Sequence, residues 1–142
     1  MIIDSTYTDK RNEELINNLV GSKYSLWQSI KLKGVGSKRM MIEEASKHFS
    51  NQLNLISDVN YANIELRPNG ILLHINKGLN NFTWAVPIYK LHIYRTNSFS
   101  IHADGKFIRF KNNKLLKENK LFIDKLLDFK IENNKKYTIP HD

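Results

Sequence analysis

Residues 90–107, "KLHIYRTNSFSIHADGKF", carry two histidines ten residues apart, His92 and His102, set among apolar residues that alternate with polar ones. That alternation is the period-2 pattern of strands with one buried face. A two-residue loop between "KLHIYR" and "FSIHA" would turn His92 inward beside Ile101 and leave Leu91 and Ile93 in water, against the pattern. A three-residue loop, Thr96-Asn97-Ser98 with Asn97 in the left-handed region, pairs Ile93 with Ile101 and Leu91 with Ala103. His92 then lies across from His102 on the outer face, with Phe107 beyond them and Tyr94, Ser100 and Arg109 in the neighbouring row.

The same test extends outward along the chain. A two-residue turn at Asp104-Gly105 pairs Ile101 with Ile108 and Phe99 with Phe110 on one face, and His102 with Phe107 on the other. In "NIELRPNGILLHI", a turn at Asn69-Gly70 pairs Leu66 with Leu73 and Ile64 with Ile75, leaving Glu65, Arg67, Leu72 and His74 outside. Between the hairpins, "FTWAVPIYKL" switches the parity of its apolar residues at Pro87. Proline cannot donate to a ladder, so a sharp bend is expected there. "NKLLKENKLFIDKLLDFK" is an amphipathic helix with Leu115, Leu116, Phe122, Ile123, Leu126 and Phe129 toward the body.

The first third reads as helical. Thr8 or Asp9 caps a helix carrying Leu15, Ile16, Leu19 and Val20 at helical spacing, and Gly21 stops it. "YSLWQSIKL" puts Leu26, Trp27 and Ile30 on one side of a helix, yet Tyr24, Leu26, Ile30 and Leu32 also fit a strand. After "GVG", Ser37 caps a helix whose buried stripe is Ile42, Ala45, Phe49, Leu53 and Ile56. The expected architecture is a single α+β domain over 1–142. It has a helical part at 1–57, an antiparallel meander of about six strands at 62–111 bent at Pro87, a C-terminal helix at 114–131 and a disordered tail at 132–142.

At this length a compact fold buries about 68–70 % of its unfolded surface, enough for a core without staples. Cysteine is absent, which removes disulfides and thiolate metal sites. No basic segment leads into a long apolar run and no window suits a membrane span, so the expectation is a soluble, cytoplasmic chain. Lys plus Arg number 22 against 14 Asp plus Glu, a net +8, which favours a polyanionic partner. Only five of the 22 are Arg, the side chain suited to bidentate phosphate contacts, and the Lys, Asn and Ile richness is what an AT-rich codon bias produces.

A bent meander closed by one amphipathic helix, here residues 62–131 with "FTWAVPIYKL" before "SFSIHADGKFIRF", resembles the pleckstrin-homology-like folds of bacterial proteins. The resemblance implies a half-barrel of seven strands, the first supplied by "SLWQSIKL", serving as a binding platform for proteins or lipids.

No nucleophile elbow or paired carboxylate stands in the sheet, and no cofactor is expected. Three readings remain. The first is a small non-enzymatic binding module for a protein or an anionic ligand, using the outer face of His92, Tyr94, His102, Phe107, Arg109 and Lys111, with Arg67 and Lys90 nearby. The N-terminal helices compete for that face, since Leu15, Leu19, Ile42 and Phe49 need burial. The second is a nucleic-acid binder using the same basic and aromatic face, or the turn "LKGVGSKRMMIEE". That turn resembles the helix-hairpin-helix motif at Leu32, Gly34, Val35 and Gly36, with Lys38 and Arg39 toward phosphate and Met40 and Glu43 departing from it. The third is a metal-dependent enzyme built on His92 and His102, completed by Asp104 or a reoriented His74.

Overall fold

A computed structural model describes residues 2–4, 9–49, 60–77 and 80–137. It is an α+β structure with eight antiparallel strands: β1 (Ile2–Asp4), β2 (Met40–Ala45), β3 (Tyr61–Arg67), β4 (Gly70–Lys77), β5 (Asn80–Pro87), β6 (His92–Arg95), β7 (Phe99–Ala103) and β8 (Lys106–Phe110). Their order across the sheet is β1-β5-β4-β3-β2-β8-β7-β6. Helices α1 (Lys10–Val20) and α2 (Leu26–Lys31) precede β2, while α3 (Lys114–Glu118) and α4 (Lys120–Tyr137) follow β8. The expected six strands are β3 to β8, and the count rises to eight because β1 and β2 come from the segment read as helical. Among the described residues no helix is long and apolar enough to cross a membrane.

The helix expected after Ser37 is the main correction. Residues 40–45 form β2, and Lys47–Phe49 is one 3-10 turn. Leu53 and Ile56 lie outside the described residues. "MMIEEA" is made of good helix formers, but pairing overrides propensity here. Met40 and Met41 pair with Ala62 and Tyr61 of β3, whereas Ile42, Glu44 and Ala45 pair with Phe110, Arg109 and Ile108 of β8. As a strand, β2 satisfies the ladder edges of both neighbours, which as a helix it would leave open. Of the two readings open for "YSLWQSIKL" the chain takes the helix, α2, and so does not supply the first strand that the resemblance implies. Helix α2 is fixed by a capping box in which Ser25 and Gln28 exchange side-chain and backbone hydrogen bonds.

Hairpin β7–β8 has the expected register, Ile101 with Ile108 and Phe99 with Phe110. Asp104 and Gly105 have φ of 51° and 76°, the two left-handed residues of a type I′ turn. Hairpin β3–β4 keeps the expected faces but shifts its partners by two: Leu66 pairs with Ile71 and Ile64 with Leu73. The loop residues are Pro68 and Asn69, because proline presets the φ of a turn's first central position. The β6–β7 loop has its three residues, with Ile93 opposite Ile101, but Asn97 is not left-handed.

Pro87 does more than bend the sheet. It ends β5, the 3-10 turn Ile88–Lys90 follows, and β6 pairs with β7 and not with β5. The meander is therefore broken there, and its two halves are joined through β2. Inside the curve, Trp84, Phe49, Met40, Ile64, Leu73, Phe99, Ile101 and Phe110 form the main core. Helix α4 closes it with Phe122, Ile123 and Leu126, backed by Leu116 and Phe129. The single expected C-terminal helix is interrupted at Asn119, whose side chain accepts from the Lys38 N–H and donates to the Leu115 carbonyl. The helix then continues six residues beyond the expected end at 131, into the expected tail; residues 138–142 lie outside the described residues.

On the sheet's other side, α1, capped by Asp9, lies over β4 and β5, where Val20, Leu72 and Ala85 are buried with Ile16 and Leu19 against them. The N-terminal apolar residues are thus divided: Leu19 goes beneath α1, Phe49 enters the main core and Ile42 packs at its margin. Leu15 stays partly exposed. Among the described residues, neither α1 nor α2 covers the outer face of β6–β8.

Candidate binding face

The three-residue loop and the Asp104-Gly105 turn together set His92 directly across from His102, and His102 across from Phe107. The rings make one row. His102 stacks on Phe107 with centroids 5.4 Å apart, and meets the edge of Tyr94 at 4.6 Å. Its Nε2 lies 3.0 Å from the Ser100 hydroxyl, which is buried beneath the row. Tyr94 is 56 % exposed and His92 is exposed, so the row presents π-faces and an imidazole to solvent.

Arg109 is held by a device the sequence hid. A bulge in β2 between Ile42 and Glu44 puts Glu43 and Glu44 together opposite one residue of β8. Both carboxylates then accept from the Arg109 guanidinium, Glu43 at 3.3 Å from Nε and Glu44 at Nη2. Nothing local in the sequence marks the bulge that brings the two glutamates together. Lys90 is likewise paired with Asp104, at 3.2 Å. Lys111 is exposed at the end of the row. The face is therefore aromatic at its centre, with cations at its rim that are partly neutralised in place.

Burial, reinforced by the positive charge of His92, holds the His102 imidazole below its ordinary value of 6.5. A depressed histidine favours the neutral ring in the folded state. Its contribution is therefore complete above 6.5 and is lost as pH falls from there through the lower folded value. In an NMR titration of the ring protons, His102 should titrate below 6.5, and His92→Gln should move it part of the way back. A midpoint at or above 6.5, or one indifferent to His92, would contradict this geometry.

Other expected residues are dispersed. Arg67 is buried under α1, donating to Asn17 Oδ1, the Gly21 carbonyl and Glu65, so it does not join the open face. Gly34, Gly36, Lys38 and Arg39 precede a strand, not a helix, which removes the second helix of the expected motif. Their backbone is engaged: Gly36 bridges Glu65, the Ser37 N–H donates to the Ile64 carbonyl, and the Val35 carbonyl accepts from Leu66. Arg39 lies over the Tyr61 ring at 4.5 Å. Of the suggested metal ligands, Asp104 is held by Lys90, and His74 lies 3.1 Å from Glu65 on β4. Among the described residues no group of three or more His, Cys, Asp or Glu comes together.

Two further features escaped the sequence. Strand β6 ends the sheet, and its outer edge pairs with no strand among the described residues. Beside it, a cavity of about 240 Å³ lies between the 96–98 loop and helices α3 and α4, rimmed by Arg95, Lys117 and Lys120, with Leu116 and Ile123 also lining it. The signal for an edge strand is non-local, because pairing order is set by the whole sheet. Compared with family models, curated proteins and solved structures, the chain matches none.

Proposed function

We propose that the chain is a pleckstrin-homology-like binding module whose ligand is an extended segment of a partner protein, taken by the β6–β8 face. The observation that carries this is the outer edge of β6, which pairs with no strand among the described residues and runs beside the Tyr94–His102–Phe107 row. An unpaired strand edge offers backbone donors and acceptors to an added strand, and flanking aromatics supply side-chain contacts. The fold half of the reading is supported by the strand order. β2 to β5 and β6 to β8 form two runs, β2 takes part in both, and α4 closes the open end of the resulting seven-strand unit. At the rim of the adjoining cavity Arg95 is held by Asp124, and it is Lys117 and Lys120 that suit an acidic side chain or terminal carboxylate on that segment. Arg109 and Lys90 already carry their own carboxylate partners, which makes the face a poorer match to nucleic acid than its aromatic and basic composition implies.

The test is selection of peptides from a random library displayed on phage, using the whole chain as bait. Peptides that bind should lose about tenfold in affinity on Tyr94→Ala, since aromatic anchors dominate such interfaces, and should perturb the amide signals of β6. Peptides indifferent to Tyr94→Ala, or no selection above background, would overturn the reading. So would stronger binding of a single-stranded oligonucleotide at low salt that is abolished by Lys111→Gln.

A further inference from the structure

Helix α2 holds its apolar side chains away from the body of the protein. Leu26, Trp27 and Ile30 are 79 %, 70 % and 61 % exposed, and no residue of the helix is buried. The spacing i, i+1, i+4 gathers the three on one face. This is not a frayed end. The capping box fixes the start, Tyr24 and Val35 pack against the main core on either side, and Gly36 bridges Glu65. Lys125 of α4 donates to the carbonyls of Lys33 and Gly34, locking the segment after the helix. A well-anchored turn of helix thus projects a tryptophan, a leucine and an isoleucine.

The segment of chain that carries the ridge holds one sign of charge. From Leu15 to Ile42 the sequence holds Lys23, Lys31, Lys33, Lys38 and Arg39 and not one Asp or Glu, +5 out of the chain's net +8. Lys31 and Lys33 follow Ile30 closely in the chain and are both exposed. Among the described residues the four lysines make no ion pair. Burial and the neighbouring Lys33 also depress the Lys125 ammonium, a sign of crowded positive charge.

We propose that α2 is an interfacial anchor that docks the protein on an anionic lipid bilayer, with Leu26, Trp27 and Ile30 entering the headgroup–acyl boundary. The lysines around them would contact the lipid phosphates. The ridge is convex, so it fits a plane that yields, and a bilayer supplies acyl chains and negative charge together. Tryptophan with leucine on one side and lysines beside them is the composition of helices that lie in this layer. A second copy of the chain is a poor occupant because the two faces would bring like charges together. This inference does not depend on the β6–β8 face and goes beyond its function.

Trp27 is a built-in reporter, because the other tryptophan, Trp84, is already dry in the core at 2 % exposure. The whole chain is titrated with large vesicles of phosphatidylcholine and phosphatidylglycerol, and with vesicles of phosphatidylcholine alone. Emission should shift to the blue only with the anionic vesicles, and the protein should sediment with them. Partition should fall about 30-fold in Lys31→Gln/Lys33→Gln, at about fivefold per cation, and about tenfold or more in Leu26→Asp/Ile30→Asp. Both variants are at exposed positions, and their circular dichroism should match the parent. No shift, equal partition into neutral vesicles, or variants that partition like the parent would overturn the proposal. A blue shift produced by an oligonucleotide and not by vesicles, or one that depends on protein concentration alone, would overturn it too, assigning the ridge to nucleic acid or to self-association.

Discussion

Gly70→Ala is expected to destabilise the protein by about 3 kcal/mol or more, a large effect for one added methyl group. Gly70 is the first residue of β4, where the strand passes between β5 and the end of α1. A Cβ built there falls well inside contact distance of the Val86 carbonyl oxygen, 2.7 Å from Val20 Cγ1 and 3.1 Å from the Pro87 Cα. Two of these three neighbours are backbone of the paired strand, so a rotamer change cannot relieve the overlap. The site is also a junction: the Asn69 N–H donates to the Val20 carbonyl, ending α1, and the Asn69 carbonyl accepts from Ile88 just past β5. Urea unfolding of Gly70→Ala should show the loss, and adding Val20→Ala, which removes the one yielding neighbour, should not restore it. A change below about 0.5 kcal/mol, the size of an ordinary surface substitution, would show that the strands separate easily at this point.

Gly70 also shows how far local sequence carries. Asn69-Gly70 reads as a type I′ turn, the same inference that is right at Asp104-Gly105. It fails here because Pro68 can open a turn one residue earlier, and Gly70 is then required for close approach and not for a positive φ. Parity survives a shift of two residues, so the buried set Ile64, Leu66 and Leu73 was legible while its pairing was not. The same parity argument settles the β6–β7 loop, because a one-residue error would have exposed Ile93. It is silent about which strands are neighbours. Met40–Ala45 satisfies the helical spacing rule and still becomes a strand, since its backbone closes ladders with residues 20 and more than 60 positions away. From that follows the Glu43–Glu44 clamp on Arg109. The candidate face was legible in its aromatic row, whereas its electrostatics and its edge depend on pairings that no local pattern encodes.

Glu65→Gln should cost about 2 to 3 kcal/mol at neutral pH, and that cost should shrink in acid. Burial pushes the Glu65 carboxyl up, but hydrogen bonds from His74 and Arg67, with their charges, outweigh it and hold the group below its ordinary value of 4.5. A carboxylate depressed on folding contributes its full stabilisation above 4.5 and loses it as pH falls from there through the lower folded value. The partner makes the loss serious. Arg67 lies under α1 with its guanidinium bonded to Asn17 at 3.2 Å and to the Gly21 carbonyl at 3.1 Å, so neutralising Glu65 leaves a charge among groups that cannot balance it. The gap between parent and Glu65→Gln in urea unfolding should therefore be full at pH 7 and smaller at pH 3. In Glu65→Leu/Arg67→Met much of it should return, since removing both members avoids the stranded charge. An equal gap at both pH values would mean that shape and not charge governs the site. Arg67 also grips the Gly21 carbonyl, from which the chain runs directly into α2, so the Glu65→Gln variant should lose amide-exchange protection first in α1. If α2 is the bilayer anchor proposed above, the same variant should also loosen its hold on anionic vesicles.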